Sequence, residues 1–227
     1  MIVYGKNVAK EVINNNKEIK KVILSKNFDD KFILSKLDEN KIEYMDKKDM
    51  DRKYSNHQGI ILEIEDYKYS DIKDVIDRNF IVILDHLEDP HNFGAIIRTC
   101  EAAGVDAIII PKNRSVEVNS TVMKVSAGAL NNITIVEVNN LVNAIEKLQS
   151  NGFWVYGTDM EDSEVYTDVK YDSKVALVIG AEGNGISRLV REKCDFVVNI
   201  PMVGKINSLN ASVAAAIVIY EVVRQRK

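Results

Sequence analysis

Phe80-Ile81-Val82-Ile83-Leu84-Asp85-His86-Leu87-Glu88-Asp89-Pro90-His91-Asn92-Phe93-Gly94-Ala95-Ile96-Ile97-Arg98 is the stretch whose reading decides the fold. Five consecutive apolar residues at its start read as a strand buried on both faces. Pro90 restricts Asp89 to extended or turn conformations, so 85–90 is a loop, and Asn92 is the expected cap of a helix over 92–103. The same strand-to-helix alternation continues downstream. Strands are predicted at 107–110, 133–136, 153–156, 176–179 and 196–200, and helices at 118–127, 140–150, 187–193 and 209–226. Strands alternating with helices predict an α/β domain whose mainly parallel sheet is covered on both faces.

Upstream of residue 70 the pattern is that of a smaller α/β unit, with a helix at 6–15, a strand at 22–24, a helix at 29–40 and an apolar alternation at 60–64. The polar segment 66–79 contains neither Pro nor Gly and is expected to be partly helical. The expected organisation is therefore a small domain over 1–70, a linker over 71–79 and a larger domain over 80–227. No internal repeat or low-complexity tract is visible.

The 227 residues are 46% hydrophobic and 28% charged, enough for one large core or for a small domain joined to a larger one. Cys100 and Cys194 are too few and too far apart for a disulfide framework and read as buried apolar fillers. The start Met1-Ile2-Val3-Tyr4-Gly5-Lys6 has no signal-peptide pattern, and the longest apolar run, 213–220, is far short of a membrane span. A cytoplasmic protein with no membrane partner is expected. The three histidines are read as hydrogen-bonding residues: His86 and His91 lie among Asp85, Glu88 and Asp89, no further His or Cys completes a zinc set, and no metal is expected.

The net charge of −4 argues mildly against nucleic-acid binding. Residues 1–70 hold 14 Lys and Arg against 13 Asp and Glu, whereas the remainder holds 16 against 21. This permits a local basic face that includes Lys20, Lys21, Lys26, Lys31 and Lys36, and equally permits an ordinary solvated surface.

Two further segments stand where strands end. Ile179-Gly180-Ala181-Glu182-Gly183-Asn184-Gly185-Ile186-Ser187 is spaced G-x-x-G-x-G, which is not the dinucleotide fingerprint, but its glycines let backbone approach a ligand closely. Ile200-Pro201-Met202 leaves a strand, and Ser208-Leu209-Asn210-Ala211-Ser212 opens a small-residue helix for which Ser208 reads as the cap. Read singly, Asn92 is a cap and Arg98 a surface or ion-paired residue.

Taken together, the three segments resemble the three motifs of the SpoU/TrmH family of RNA ribose 2'-O-methyltransferases, in order and spacing from about residue 80 to the end. Gly5 and His57-Gln58-Gly59-Ile60 are similar to the ribosomal-protein-like substrate-binding domain of the bacterial branch that methylates a guanosine of large-subunit (23S) rRNA. The resemblance implies a deep trefoil knot in the C-terminal domain, S-adenosylmethionine as cofactor, structured RNA as partner, and a homodimer through that domain. It implies catalytic-motif roles for Asn92, Arg98, Glu182, Ser208 and Asn210, and cofactor binding by Gly180, Glu182, Gly183, Ile200, Met202, Ser208 and Leu209. Three alternatives stay open: a tRNA 2'-O-methyltransferase, a non-catalytic RNA-binding or ribosome-assembly protein on the same scaffold, and an oxidoreductase with an atypical glycine loop. Loss of Asn92 or Arg98 would favour the second, and a G-x-G-x-x-G after the first large-domain strand would favour the third. The chain has both residues and lacks that fingerprint.

Overall fold

The computed structural model describes residues 1–181, 183, 185–206 and 208–226. They divide into two compact units: Met1–Lys68 with Val118–Lys124, and Tyr69–Glu117 with Val125–Lys227.

The first unit follows the order β1 (Ile2–Tyr4), α1 (Lys6–Asn14), β2 (Ile19–Ser25), α2 (Lys31–Leu34), β3 (Ile42–Met45), α3 (Lys47–Lys53), β4 (Ile60–Ile64). Its four strands form a mixed sheet in the order β1-β4-β2-β3. β4 is central and antiparallel to both neighbours, with Val3 opposite Leu62 and Val22 opposite Leu62, while β2 and β3 run parallel. Val3, Val8, Val12, Val22, Leu24 and Met50 join β4 in the core. The single helix expected over 29–40 is instead two short turns. Asp30 caps α2 by accepting from Ile33 N–H at 3.2 Å, and Asp38 accepts from Asn40 N–H at 3.0 Å to start a separate 3-10 turn, Glu39–Lys41. Asp side chains that bond nearby backbone amides compete with helix continuation, and here the competition wins.

The second unit contains β5 (Phe80–Asp85), α4 (Pro90–Ala103), β6 (Ala107–Pro111), α5 (Ser120–Ser126, whose first five residues group with the other unit), β7 (Thr134–Val138), α6 (Leu141–Gln149), β8 (Phe153–Thr158), β9 (Glu164–Val165), β10 (Lys174–Gly180), α7 (Arg188–Arg191), β11 (Phe196–Asn199) and α8 (Ala211–Gln225). Seven strands form one sheet in the order β7-β6-β5-β10-β8-β11-β9, and every recorded pairing is parallel. One face packs Ile81, Ile83, Ile109, Val155 and Val178 against Leu141, Ile145 and Leu148 of α6. The other face carries α4 and α8, which pack on each other through buried Phe93, Ile96, Ile97, Ala215, Val218 and Val222. Each of these side chains except the smaller Ala215 contributes about 1.5–3 kcal/mol through burial.

Caps set where the key helices start. α4 begins at Pro90, and its cap is Asp89, whose Oδ1 accepts from Asn92 N–H at 2.7 Å. Asn92 is therefore inside the first turn, not the cap, because Pro90 at the first helical position pre-sets φ and moves the boundary back. α8, by contrast, starts later than expected: Asn210, not Ser208, caps it by accepting from Ser212 N–H at 3.0 Å. The 71–79 segment holds a 3-10 turn, Ile72–Asp74, with a capping box from Asp71, and lies within the second unit.

Candidate functional site

From β5 the chain winds outward one way through β6 and β7, then crosses by α6 to β8 on the opposite side, and β10 later fills the gap between β5 and β8. Such a reversal of winding opens a crevice at the carboxyl ends of parallel strands, where α/β proteins bind ligands. All three sequence segments leave from that edge: the first from β5, the second from the adjoining β10, the third from β11. Gly180 stands directly opposite Asp85 in the β10–β5 pairing.

The second segment is a tight loop. Ala181 N–H donates to Gly185 O at 3.1 Å, with Gly183 at φ +80 and Gly185 at φ +62. A Cβ added to Gly180 would lie 2.2 Å from both the carbonyl carbon and oxygen of Gly185 and 2.6 Å from Ile186 N. No side chain fits there, so the glycine is required by close backbone approach. Glu182 falls outside the described residues, as do Asn184 and Asn207. The four-residue α7 that follows is too short to be the long pyrophosphate-binding helix of a dinucleotide site, which removes the structural basis of the oxidoreductase alternative.

The third segment leads from β11 back to α8, which packs on α4 and on β10, the strand on the far side of β8. Connections that double back in this way are unusual, and the knot implied by the resemblance depends on this return. Asn210 Nδ2 donates to Asn92 Oδ1 at 2.9 Å, joining the first and third segments across 118 residues. The Asn210 carboxamide thus caps α8 with its oxygen and clasps α4 with its nitrogen. Ile200, Met202 and Leu209 are half-buried, Pro201 and Ser208 exposed, and no backbone hydrogen bond is recorded for the described groups of 200–206. This loop offers backbone donors and acceptors beside apolar side chains, a chemistry suited to a purine and an amino-acid moiety.

Arg98 lies on the exposed face of α4 with His91 and Ala95, spaced i, i+4, i+7. Helical side chains lean toward the N-terminus, and the small Ala95 leaves the long Arg98 room to reach back toward the loop. Among the described residues Arg98 forms no ion pair.

Several residues at this edge were not singled out from sequence. Asp85, 1% exposed, bonds His86 Nδ1 through Oδ1 and accepts from Ser187 N–H through Oδ2 at 2.6 Å. Asp159, just past β8, has Oδ2 3.8 Å from Arg191 Nε and borders Gly185. The usable signal was a charged residue ending each of two apolar strands. His57 is elsewhere, buried in the first unit, with Nε2 2.8 Å from Asp51 and Nδ1 accepting from Gly59 N–H at 2.9 Å. Cys100 is buried, and burial pushes the partly buried Cys194 thiol up to about 12, so both are inert fillers. Among the described residues no group of three or more His, Cys, Asp or Glu could hold a metal, and no helix is long and apolar enough to cross a membrane. Of the lysines considered for a basic face, Lys21 pairs with Glu43 at 2.8 Å and Lys26 with Asp46 at 3.1 Å, while Lys20, Lys31 and Lys36 are exposed without ion pairs among the described residues.

Comparison with known proteins gives matches along the whole chain. The SpoU rRNA Methylase family matches residues 79–220, and the RNA 2'-O ribose methyltransferase substrate binding family matches residues 2–70. A chain from Staphylococcus saprophyticus classed as a TrmH family tRNA/rRNA methyltransferase is 43% identical, covering 100% of this chain and 96% of the relative. Among solved structures, the A. aeolicus TrmH/SpoU tRNA modifying enzyme is 31% identical with a TM-score of 0.61, over 68% of this chain and 80% of that one. The SpoU methyltransferase AviRb from Streptomyces viridochromogenes, solved with AdoMet, has a TM-score of 0.81 at 24% identity, over 99% and 90% of the two chains, and shares the fold.

Proposed function

The chain belongs to the SpoU rRNA methylase family, RNA methyltransferases of the SpoU/TrmH type, and from that premise we propose that it methylates a ribose 2'-hydroxyl in structured RNA, a guanosine of 23S rRNA in particular. The observation that carries the reading is the Asn92–Asn210 bond, which brings the Arg98 helix and the third loop to one edge of the sheet, beside the Gly180 loop. The reading assigns residues 1–70 to substrate RNA binding, 71–79 to the connection and 80–227 to methyl transfer, in the cytoplasm.

S-adenosylmethionine supplies an already electrophilic methyl group, so the protein must mainly place a ribose oxygen in line with it. In this reading the backbone of Gly180, Gly183, Ile200, Met202, Ser208 and Leu209, with Glu182, holds the cofactor. Asn92 and Asn210 fix the two helices that flank it. Arg98 holds the phosphate next to the reacting ribose and stabilises charge developing on the 2'-oxygen. A guanidinium remains protonated at neutral pH, so Arg98 would act as a cation and not as a simple base, and the 2'-hydroxyl proton would pass to solvent as S-adenosylhomocysteine leaves. Incubation with tritiated S-adenosylmethionine should label 23S rRNA, and mapping should place the methyl on one guanosine ribose. Label confined to tRNA would move the substrate to that class, and no label in either RNA would defeat the reading.

The same reading makes the protein a homodimer through α8. Of the apolar residues of α8, Ala215, Val218 and Val222 are buried within the subunit and Ala214 and Ile217 only half so. The outward stripe is Val213 (47% exposed), Ile217 and Tyr220 (49%), spaced i, i+4, i+7. Light scattering should give twice the 25.6 kDa chain mass, and Val213→Asp with Tyr220→Asp should return it to the single-chain value. A wild-type monomer at micromolar concentration would refute the dimer.

A further inference from the structure

Asp85 is a buried carboxylate that the reaction does not call on. Burying such a group is costly unless its oxygens are hydrogen-bonded, and both are: Oδ1 accepts from His86 Nδ1, and Oδ2 accepts from Ser187 N–H at 2.6 Å, a residue 102 positions away. His86 holds φ +57, a left-handed conformation rare for a residue with a side chain. The Gly180 loop leaves β10 opposite Asp85, turns through Gly183 and Gly185, closes by the Ala181–Gly185 bond and comes back to Asp85 at Ser187. Both ends of the loop therefore meet Asp85, Gly180 through the strand pairing and Ser187 through the buried carboxylate.

We propose that Asp85 is a positioning residue for the cofactor: by clasping Ser187 it holds the returning Gly185–Ser187 segment of the loop against Ala181, in the arrangement that receives S-adenosylmethionine, before the cofactor arrives. The inference rests on the functional reading above. Its physical basis is that a loop ordered in advance binds without the cost of ordering at the moment of association. A loop with two left-handed glycines has much freedom to lose, and a charge-assisted hydrogen bond is a strong restraint on it. The clasp acts on binding, because the hydrogen-bond partners of Asp85 among the described residues are His86 and Ser187, whereas Asn92 and Arg98 belong to α4.

The test measures two quantities on the same samples: exchange protection of the Ser187 amide without cofactor, and the dissociation constant for S-adenosylmethionine. In wild type the Ser187 amide should exchange much more slowly than that of Gly183; equal rates would overturn the clasp without any variant. Asp85→Ala should lose the protection and weaken cofactor binding by about tenfold or more, the scale of losing a hydrogen bond to a charged group, while turnover at saturating cofactor stays within about threefold of wild type. Asp85→Asn keeps one acceptor and the shape, so it serves if the alanine variant does not fold. In either variant protection and affinity must move together; lost protection with unchanged affinity, or lost affinity with intact protection, would overturn the proposal. Wild-type protein that fails to bind the cofactor would instead sink the functional reading, a result distinguishable because the Ser187 exchange measurement needs no cofactor.

Discussion

Arg98→Ala should lower methyl transfer to RNA by about 10²-fold or more, the usual scale for losing a positioned charge-stabilising group, while cofactor affinity changes little. The separation follows from where Arg98 sits. It is exposed on α4, whereas the helix is anchored through buried Phe93, Ile96, Ile97 and Cys100, so truncation removes a guanidinium and little packing. Stability should stay within about 0.5 kcal/mol, as for surface substitutions away from special features. In the proposed reading the cofactor loops are built from residues more than 80 positions further along the chain. Arg98→Lys should also be poor, since lysine keeps the charge but lacks the planar fork that grips a phosphate through two bonds. Single-turnover transfer with tritiated cofactor, run beside a binding measurement on the same variants, checks both claims; wild-type rates in Arg98→Ala would end the catalytic assignment.

Gly180→Ala should abolish or severely weaken cofactor binding, although it adds one methyl group. That methyl would sit 2.2 Å from the backbone of Gly185, and backbone cannot swing aside as the end of a flexible side chain can. The 185–186 segment must move, opening the Ala181–Gly185 closure and carrying the loop away from its place opposite Asp85. Overpacking of this kind costs about 1–3 kcal/mol, which in a domain of this size lowers Tm by roughly 2–4 °C for each kcal/mol. The variant should therefore fold, melt earlier and give no calorimetric signal with S-adenosylmethionine. Unchanged affinity would remove this loop from the site. The contrast with Arg98 is diagnostic: one change removes binding and leaves the reacting group, and the other does the reverse.

How far the site was legible in advance depends on the kind of signal. The helix expected over 140–150 is α6, Leu141–Gln149, and its start is fixed by Asn140, whose side chain accepts from Asn143 N–H at 3.0 Å, because a cap acts over three residues and is written locally. The choice of Asn92 as a cap failed for an equally local reason, since Asp89 precedes Pro90 and completes a stronger start signal. That displacement matters, because an Asn92 occupied as a cap would not present its carboxamide to Asn210. The bond itself joins residues 118 apart and leaves no periodic trace. Strands β1, β3 and β9 were also missed, being only two to four residues long and too short to show an alternation.

By itself the sequence determined the class of the protein: two α/β units, a large domain of apolar strands alternating with helices, and three segments at strand ends whose resemblance points to RNA methyl transfer. These are properties of residue type and short-range spacing, which decide what each segment becomes and which face it buries. Only the tertiary structure decided that β10 inserts between β5 and β8, that the chain returns from β11 to set α8 on α4 and β10, and which apolar residues of α8 are left outward. It also decided that Asp85 faces Ser187 across the site. Strand order and such contacts depend on which distant backbone edges and faces are compatible, a choice made among all elements at once and carried by none of them singly.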